Sequence, residues 1–477
     1  MTRRILLFLV LIASLQAFAG TGQIVIVSTD APNVGFNDPT PRTPVGGNPG
    51  TTLGQQRMNV FLAAAEGWRK YIDTNVDIIA SASFVNIAGC TATSGVLGQA
   101  APVTWKENFT NAPKANVFYP IALANKLAGT DLAPGQNDIF VQFNAGVDNS
   151  TCLGTTNWYY GFDGKEGTDV DLYTVVSHEL GHGLGLSGAA AAPEFLNGHP
   201  TVFDTHIFDR SLGLRWDQMT VEQRRVSMTN TGNLVWDGTL ARGAIDRYLD
   251  PLTVLTITEP TAVAHNYDIG FADFGGPATN LTGRIVRVTD EANTDGPTVN
   301  DGCTAFTNAA AVNGNIALVD RGSCTFVVKA RNAKAAGATG VIIADRIESY
   351  SASNPATCLP PGMTGDAADV TIPVISVGIN DATLLKNTLT PDVTMRGMLR
   401  VDPSQRAGAS QDGYPRLYAP CVAQPGSSIY HWDVTATPNL LMEPAINDDL
   451  THGPDLTLQQ LLDLGWTSRQ GRQFLTR

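Results

Sequence analysis

The stretch His178-Glu179-Leu180-Gly181-His182-Gly183-Leu184-Gly185-Leu186 (HELGHGLGL) sets the fold class that we expect for this chain. Apolar residues recur at helical spacing before and within it, and these positions are Leu172, Val175, Val176, Leu180 and Leu184. His178 and His182 lie four positions apart, so one face of a helix presents both rings. Both rings can then reach a single ion at about 2.0–2.1 Å. The stretch therefore predicts a metal site on a helix.

Residues on either side predict where this helix begins and ends. Thr168 and Asp169 offer N-cap oxygens just upstream. We expect Gly183 and Gly185 to end the helix, because glycine takes positive φ at little steric cost.

Glu179 follows the first histidine and completes the HExxH pattern of zinc peptidases. Its carboxylate can take a proton from a water whose pKa the ion has lowered to about 7. With Gly185 three residues after His182, the longer pattern HExxHxxG resembles the metzincin class. In the compact metzincin pattern a third ligand stands six residues after the second histidine, where this chain has Gly188. The third ligand must therefore come from elsewhere.

His431 is the third ligand that we favour. It stands in YHWD (430–433), ahead of LMEP (441–444), where Met442 resembles the Met-turn methionine under the metal of metzincins. The order HExxHxxG, long insertion, His-Trp-acid and Leu-Met-x-Pro resembles the leishmanolysin family. This resemblance implies one zinc ion held by His178, His182 and His431. In this chain 248 residues lie between His182 and His431.

Other potential donors lie closer to the motif along the chain. Residues 188–250 read as irregular, with one short helix near 220–228, and they contain acidic and histidine side chains. Glu194, His206 and Asp209 remain alternatives to His431 at this stage.

The first residues predict export. Met1-Thr2-Arg3-Arg4, an apolar run and Ala17-Phe18-Ala19 are typical of a signal peptide over residues 1–19. Six cysteines favour disulfides in an oxidising compartment. We favour Cys90 with Cys152 and Cys303 with Cys324, which leaves Cys358 with Cys421 by elimination.

The composition of the chain excludes some classes of binding partner. A formal net charge of −13 argues against nucleic acid and against an anionic membrane surface. No later stretch is long and apolar enough to predict a membrane span. Protein or peptide substrates are the partners that remain. Calcium could bind as well, but no pattern assigns a site for it, and no pattern assigns an oligomeric state.

Residues 20–250 and 403–477 together predict an α+β peptidase domain, with a mixed sheet and the metal-site helix. Its elements are expected as a strand over 23–29, a helix over 53–72, strands over 76–85 and 137–143, and a closing helix over 456–466. The two parts are separated by residues 251–402.

That intervening segment has a different character. Strands at 284–288, 316–319, 341–344 and 372–377 alternate with helices at 325–336 and 380–389. The run NIALVDRGSCTFVVKARNAKAAGATGVII (315–343) closely resembles the protease-associated (PA) domain. We therefore expect an α/β protease-associated domain inserted at 251–402.

These expectations together describe a secreted zinc endopeptidase. Peptide hydrolysis would use a metal-activated water, with Glu179 as the general base. The alternative is an exported protein-binding or adhesion protein, in which the PA domain works and the zinc site is vestigial. The intact Glu179 argues against that alternative, because a retained metal site needs the histidines but not the base.

Overall fold

The computed structural model of this chain describes residues 20–92, 94–149, 151–277, 281–294, 296–350, 356–447 and 450–469. The predicted signal peptide, residues 1–19, lies outside these ranges. The N-terminal part contains β1 (Ile24–Ser28), α1 (Leu53–Arg69), β2 (Ile72–Asp73), β3 (Ile78–Val85), β4 (Gly98–Pro102), β5 (Trp105–Lys106), β6 (Tyr119–Pro120), α2 (Ile121–Ala128), β7 (Ile139–Asn144), β8 (Trp158–Tyr159), β9 (Val170–Asp171) and α3 (Leu172–Leu184). The strands and helices expected here are confirmed, with small shifts at their ends.

A four-stranded sheet in the order β1-β3-β7-β4 organises this part. β1, β3 and β7 are parallel, and β4 is an antiparallel edge strand on β7. α1 and α3 pack on the sheet and on each other. Phe61 of α1 meets Phe84 and Phe143 of the sheet in tilted and edge-to-face contacts, which suit the charge distribution of aromatic rings. The motif helix α3 is therefore held on a mixed sheet, as expected.

Asp171 caps the N-terminus of α3, so the prediction of Thr168 or Asp169 was wrong. Its Oδ2 accepts hydrogen bonds from the backbone N–H and the hydroxyl of Thr174, at 3.0 and 2.6 Å. The cap lies later than predicted because strand β9 runs directly into the helix. The same Asp171 oxygen lies 2.8 Å from Nε2 of His452, which ties the start of the helix to the C-terminal part.

The two glycines near the end of α3 have different roles. Gly185 ends the helix with a φ of 127°, as predicted. Gly183 instead lies inside the helix, which corrects the prediction for that residue. A Cβ at Gly183 would lie 2.3 Å from Cγ2 of Ile139. Glycine at 183 therefore allows close packing of α3 on β7 rather than a turn.

Residues 188–250 are more regular than predicted. The expected helix is present as α4 (Val221–Ser227), and a second helix, α5 (Thr239–Tyr248), was missed. Three short strands form an antiparallel sheet in the order β11-β10-β12, namely β10 (Ile207–Asp209), β11 (Leu214–Arg215) and β12 (Leu234–Trp236). Strands of two or three residues are too short for alternation to be visible in the sequence.

The next part of the chain forms an eight-stranded sheet. Its elements are β13 (Pro251–Glu259), β14 (Asn266–Tyr267), β15 (Gly270–Phe271), β16 (Thr282–Arg287), α6 (Ala309–Val312), β17 (Ile316–Asp320), α7 (Phe326–Ala335), β18 (Gly340–Ala344), β19 (Val374–Val377), α8 (Ile379–Thr388) and β20 (Met395–Arg406). The strand order is β14-β13-β20-β16-β17-β18-β19-β15, and β16 to β19 are parallel. α6 and α7 cover one face of the parallel strands and α8 covers the other, so these strands are apolar on both faces.

This sheet is attached to the rest of the chain by two neighbouring strands. β13 and β20 are antiparallel, and Pro251 pairs with Arg406, so the chain enters and leaves at adjacent points. The buried apolar residues divide in the same way: one cluster draws on residues 24–249 and 409–466, and two others draw on residues 255–399. Such separate cores are expected of an inserted domain. The division at 250 and 402 stays a prediction, and β20 continues beyond residue 402.

All six cysteines pair as predicted. The disulfides are Cys90–Cys152, Cys303–Cys324 and Cys358–Cys421, and the last one joins the eight-stranded part to the C-terminal part. This usage fits a secreted or lumenal compartment. The chain closes with α9 (Leu456–Leu464) and β21 (Thr467–Ser468), and β21 pairs with β2. In the described part of the chain, no helix combines the length and apolar character needed to cross a membrane.

Candidate metal centre

Three histidines from distant parts of the sequence meet at one point. His178 and His182 project from α3, and His431 comes from the C-terminal part. One ring nitrogen of each lies within 4.8 Å of the others. The ring centroids are 4.8 to 5.2 Å apart. Helical spacing brings the first two rings together, and the packing of the C-terminal part against α3 brings the third.

Backbone carbonyls orient all three rings in the same sense. The Nδ1 atoms of His178, His182 and His431 lie 2.6, 2.7 and 2.7 Å from the carbonyl oxygens of Leu441, Leu186 and Ser427. A carbonyl oxygen only accepts, so each Nδ1 carries the proton, and each Nε2 keeps a free lone pair. The Nε2 atoms of His178 and His431 are 3.3 Å apart. Two unprotonated nitrogens this close have no proton to share, and a cation between them satisfies both.

The same surroundings keep the rings neutral. Burial lowers the pKa of His178 to about 3, and neighbouring His182 adds to this effect. Burial also lowers the pKa of His182, and it holds the pKa of His431 well below the usual range. Neutral imidazole is the form that binds metals. A set of three neutral imidazoles fits zinc, which takes three protein ligands and keeps an open position in catalytic sites.

Glu179 lies beside the cluster on the same helix and is 6% exposed. Burial raises the pKa of its carboxyl to about 8. Gly98 at the start of β4 leaves room for it, because a Cβ at that position would lie 3.1 Å from the Glu179 Oε1. The Glu179 side chain therefore lies between the motif helix and the edge strand of the sheet.

Met442 packs against the motif helix at Gly181. Its side chain is fully buried, and its carbonyl oxygen accepts a hydrogen bond from the Trp432 N–H at 2.7 Å. A Cβ on Gly181, which lies between the two motif histidines, would be 2.9 Å from the Met442 Sδ. The residue before it, Leu441, supplies the carbonyl that orients His178. The turn at 441–444 therefore touches both the helix and one ring of the cluster.

None of the alternative donors belongs to the three-histidine cluster. His206 stacks on Trp236 and lies 3.4 Å from Asp237. Asp209 accepts hydrogen bonds from residues that include Asn230, and Glu194 is exposed. Among the residues that the structure describes, the three histidines form the one group of donors close enough to hold a metal ion.

Asp455 is a residue of this centre that sequence reasoning missed. One carboxylate oxygen accepts a hydrogen bond from the Leu441 N–H, and the other accepts one from the Thr457 N–H. Asp455 thus caps α9 and also holds the turn whose carbonyl orients His178. Its position just before the predicted helix was a visible N-cap signal. Its contact with Leu441 was not visible, because only the folded chain brings the two together.

Comparison with known proteins identifies a PA domain at residues 273–385. The chain is 42% identical over 74 residues to the ER degradation-enhancing alpha-mannosidase-like protein 3 of Xenopus laevis, across 16% of this chain and 8% of that protein. It is 40% identical over 90 residues to an aminopeptidase of Pseudomonas aeruginosa, across 19% of this chain and 17% of that protein. The chain therefore spans less than a fifth of the length of these two relatives.

Among solved structures, the chain is similar to BSAP, a zinc aminopeptidase from Bacillus subtilis. The alignment has a TM-score of 0.21 and 22% identity, and it covers 35% of this chain and 36% of that one. A TM-score this low carries no argument about the fold. The family match confirms the predicted PA domain and lies apart in sequence from all three histidines. These comparisons give no support to the resemblance to leishmanolysin, which rests on the motif residues.

Proposed function

We propose that this chain is an exported zinc metallopeptidase of the metzincin type that cleaves within peptide chains. The observation that carries the proposal is the convergence of three imidazoles whose Nδ1 protons are all given to backbone carbonyls, so that three Nε2 lone pairs face one point. A structural role for buried histidines does not require this common orientation. The HExxHxxG motif, displaced His431 and Met442 add the resemblance to leishmanolysin.

The chain's own residues divide the chemistry between them. Zinc held by His178, His182 and His431 would supply a Lewis acid that acidifies water and polarises the scissile carbonyl. Glu179 accepts the proton of the attacking water and then donates it to the departing amine. Burial holds the pKa of Glu179 at about 8 in the metal-free site. A nearby positive charge favours the ionised form, which moves this pKa towards the range where a general base works at neutral pH.

The edge strand β4 supports an endopeptidase. β4 pairs with β7 on one side, and within the described ranges no other strand covers its second edge. An extended peptide can add to such an edge through main-chain hydrogen bonds. Gly98 of β4 lies beside Glu179, so a peptide on this edge passes the base. An added strand can continue in both directions, so the arrangement does not require a free peptide terminus.

Peptides with both termini blocked test this function. We expect the wild type to cleave a quenched peptide library of this kind, to lose activity with a zinc chelator and to regain it with zinc. Glu179→Ala should keep the zinc and the fold but lose about 10²- to 10⁴-fold in turnover, because proton transfer is removed. Full activity of this variant would show that Glu179 is not the base. Cleavage restricted to peptides with free N-termini would indicate an exopeptidase.

A binding or adhesion protein is the second candidate. It is favoured by the PA domain, which is the part of the chain that a family model matches. Absence of hydrolysis of every peptide and of casein, with zinc bound to the wild type, would favour this role.

A further inference from the structure

The residues around His431 form a small unit with little regular structure. We define the His431 segment as residues 416–433, which contain no helix and no named strand. Its two ends are held side by side by an isolated bridge between Leu417 and Trp432. The Tyr418 N–H donates to the His431 carbonyl at 2.9 Å, and the Asp433 N–H donates to the Arg416 carbonyl at 3.0 Å. The backbone of His431 is therefore held by residues 416–418.

The middle of the segment orients the imidazole. Its Nδ1 donates to the Ser427 carbonyl at 2.7 Å. That carbonyl belongs to a turn in which the N–H groups of residues 427 and 428 both donate to the Gln424 carbonyl. The Tyr418 hydroxyl reaches the Gln424 side chain at 3.2 Å. The direction of the His431 ring thus depends on a turn that packs on Tyr418.

Two attachments on either side of Tyr418 lead to the inserted part of the chain. Cys421 forms a disulfide with Cys358 of the PA domain, and its N–H donates to the Thr357 carbonyl at 3.1 Å. The Arg416 guanidinium forms an ion pair with Asp268 at 2.9 Å, with the arginine side chain 13% exposed. The segment that supports His431 is therefore fixed to the insert by one covalent bond and one ion pair, in which Arg416 is mostly buried and Asp268 is 40% exposed.

We propose that the inserted part of the chain, which contains the PA domain, positions the third metal ligand, with Cys421 and Arg416 as positioning residues for His431. This inference rests on the proposed metal site. His178 and His182 are fixed by their helix, whereas His431 lies on irregular backbone. That backbone is held by the insert and also by hydrogen bonds to the peptidase part, from the Leu417 N–H to the Leu234 carbonyl at 3.0 Å and from the Trp432 N–H to the Met442 carbonyl at 2.7 Å. When the attachments to the insert are cut, we expect the ring to sample more orientations, so that the cost of ordering it is added to metal binding. The insert thereby contributes to the metal site without supplying a ligand.

Disulfide variants of the full chain test whether the insert positions His431. Cys358→Ser/Cys421→Ser removes the disulfide between the insert and the His431 segment. Cys303→Ser/Cys324→Ser is the matched control, because that disulfide lies within the PA domain. We expect zinc affinity, measured by chelator competition, to fall by about tenfold or more only in the first variant, in line with the loss of other outer contacts of metal ligands. The visible spectrum of the cobalt-loaded protein should change in the same variant. Hydrogen exchange of residues 424–433 should become faster.

An ion-pair variant gives a second route. Asp268→Ala removes the partner of Arg416, and Asp369→Ala removes the partner of Arg331 in an exposed pair within the insert. We expect weaker zinc binding and faster exchange at 424–433 for the first change alone. This comparison decides the matter if the disulfide variant does not fold.

The outcomes separate the two proposals. The role of the insert in positioning His431 would be overturned if zinc affinity and hydrogen exchange at 424–433 were unchanged both in Cys358→Ser/Cys421→Ser and in Asp268→Ala. The proposed zinc site would then still stand. If the wild type binds no zinc, the proposed function fails, and the exchange comparison in the metal-free protein still decides whether the insert orders the His431 segment.

Discussion

Among single residues, His431 is the one that we expect the cluster to require for zinc binding. We expect His431→Ala to lower zinc affinity by at least about 100-fold, because even an outer contact of a ligand is worth about 10–100-fold. His206→Ala is the matched control, since His206 stacks on Trp236 away from the cluster. Metal content of the purified variants, measured by mass spectrometry, checks this. If the His206 variant loses zinc and the His431 variant keeps it, the third ligand is His206 and the assignment of His431 is wrong.

Gly98 is predicted to control the position of the base. Gly98→Val adds side-chain atoms where a Cβ alone would lie 3.1 Å from Glu179 Cγ and Oε1, so the carboxyl must move. We expect kcat/KM to fall by about 100-fold, as small displacements of a catalytic group can cause, while zinc content stays at the wild-type level. Gln99→Val, on the next and exposed position of β4, should leave turnover nearly unchanged. Peptide hydrolysis rates measured beside zinc content separate the two effects.

At the scale of elements, the cap of α9 also supports the metal centre. Asp455→Ala should cost about 0.5–2 kcal/mol of stability, as for other lost N-caps, and should weaken zinc binding about tenfold through Leu441 and His178. Thr325→Ala removes the N-cap of α7 in the insert and is the control. It should lower stability without changing zinc affinity. Urea unfolding and chelator competition measure the two quantities, and equal zinc affinity in both variants would contradict the expectation.

Helix α7 carries a fully buried lysine, Lys329, whose Nζ donates to the carbonyls of Asp301 and Gly322. Burial lowers its pKa to about 8, from 10.5 in the unfolded chain. Between these values the unfolded state binds more protons, so stability rises with pH. We expect the Tm of the wild type to rise relative to that of Lys329→Met from pH 8 to pH 10, as calorimetry can measure. Parallel Tm profiles for the two proteins would show that Lys329 does not titrate in this window.

At the scale of the whole molecule, the insert has its own cores. The two apolar clusters of the eight-stranded sheet draw only on residues 255–399. A fragment of residues 251–406 carrying Cys358→Ser should therefore unfold cooperatively in urea, with the Cys303–Cys324 disulfide formed. A fragment without a cooperative transition would show that the insert depends on the rest of the chain for its stability.

Most of the regular elements could be predicted, because hydrophobic periodicity depends on neighbours in sequence. α1, α7, α8 and the parallel strands of the insert were found in this way. The short strands β10 to β12 and helix α5 were missed, since such pieces owe their order to tertiary packing. The role of Gly183 was misassigned for the same reason, because its close contact with Ile139 is a contact between α3 and β7.

From the sequence alone we predicted the two motif histidines as ligands, Glu179 as the adjacent base, the PA domain and the three favoured cysteine pairs. The pairing of His178 with His182 follows from the fixed four-residue geometry of a helix, which needs no knowledge of distant residues. The sequence favoured His431 as the third ligand but left Glu194, His206 and Asp209 as alternatives. Only the tertiary structure brings its ring to α3 and places three carbonyls behind the three rings, because packing across 248 intervening residues sets those distances.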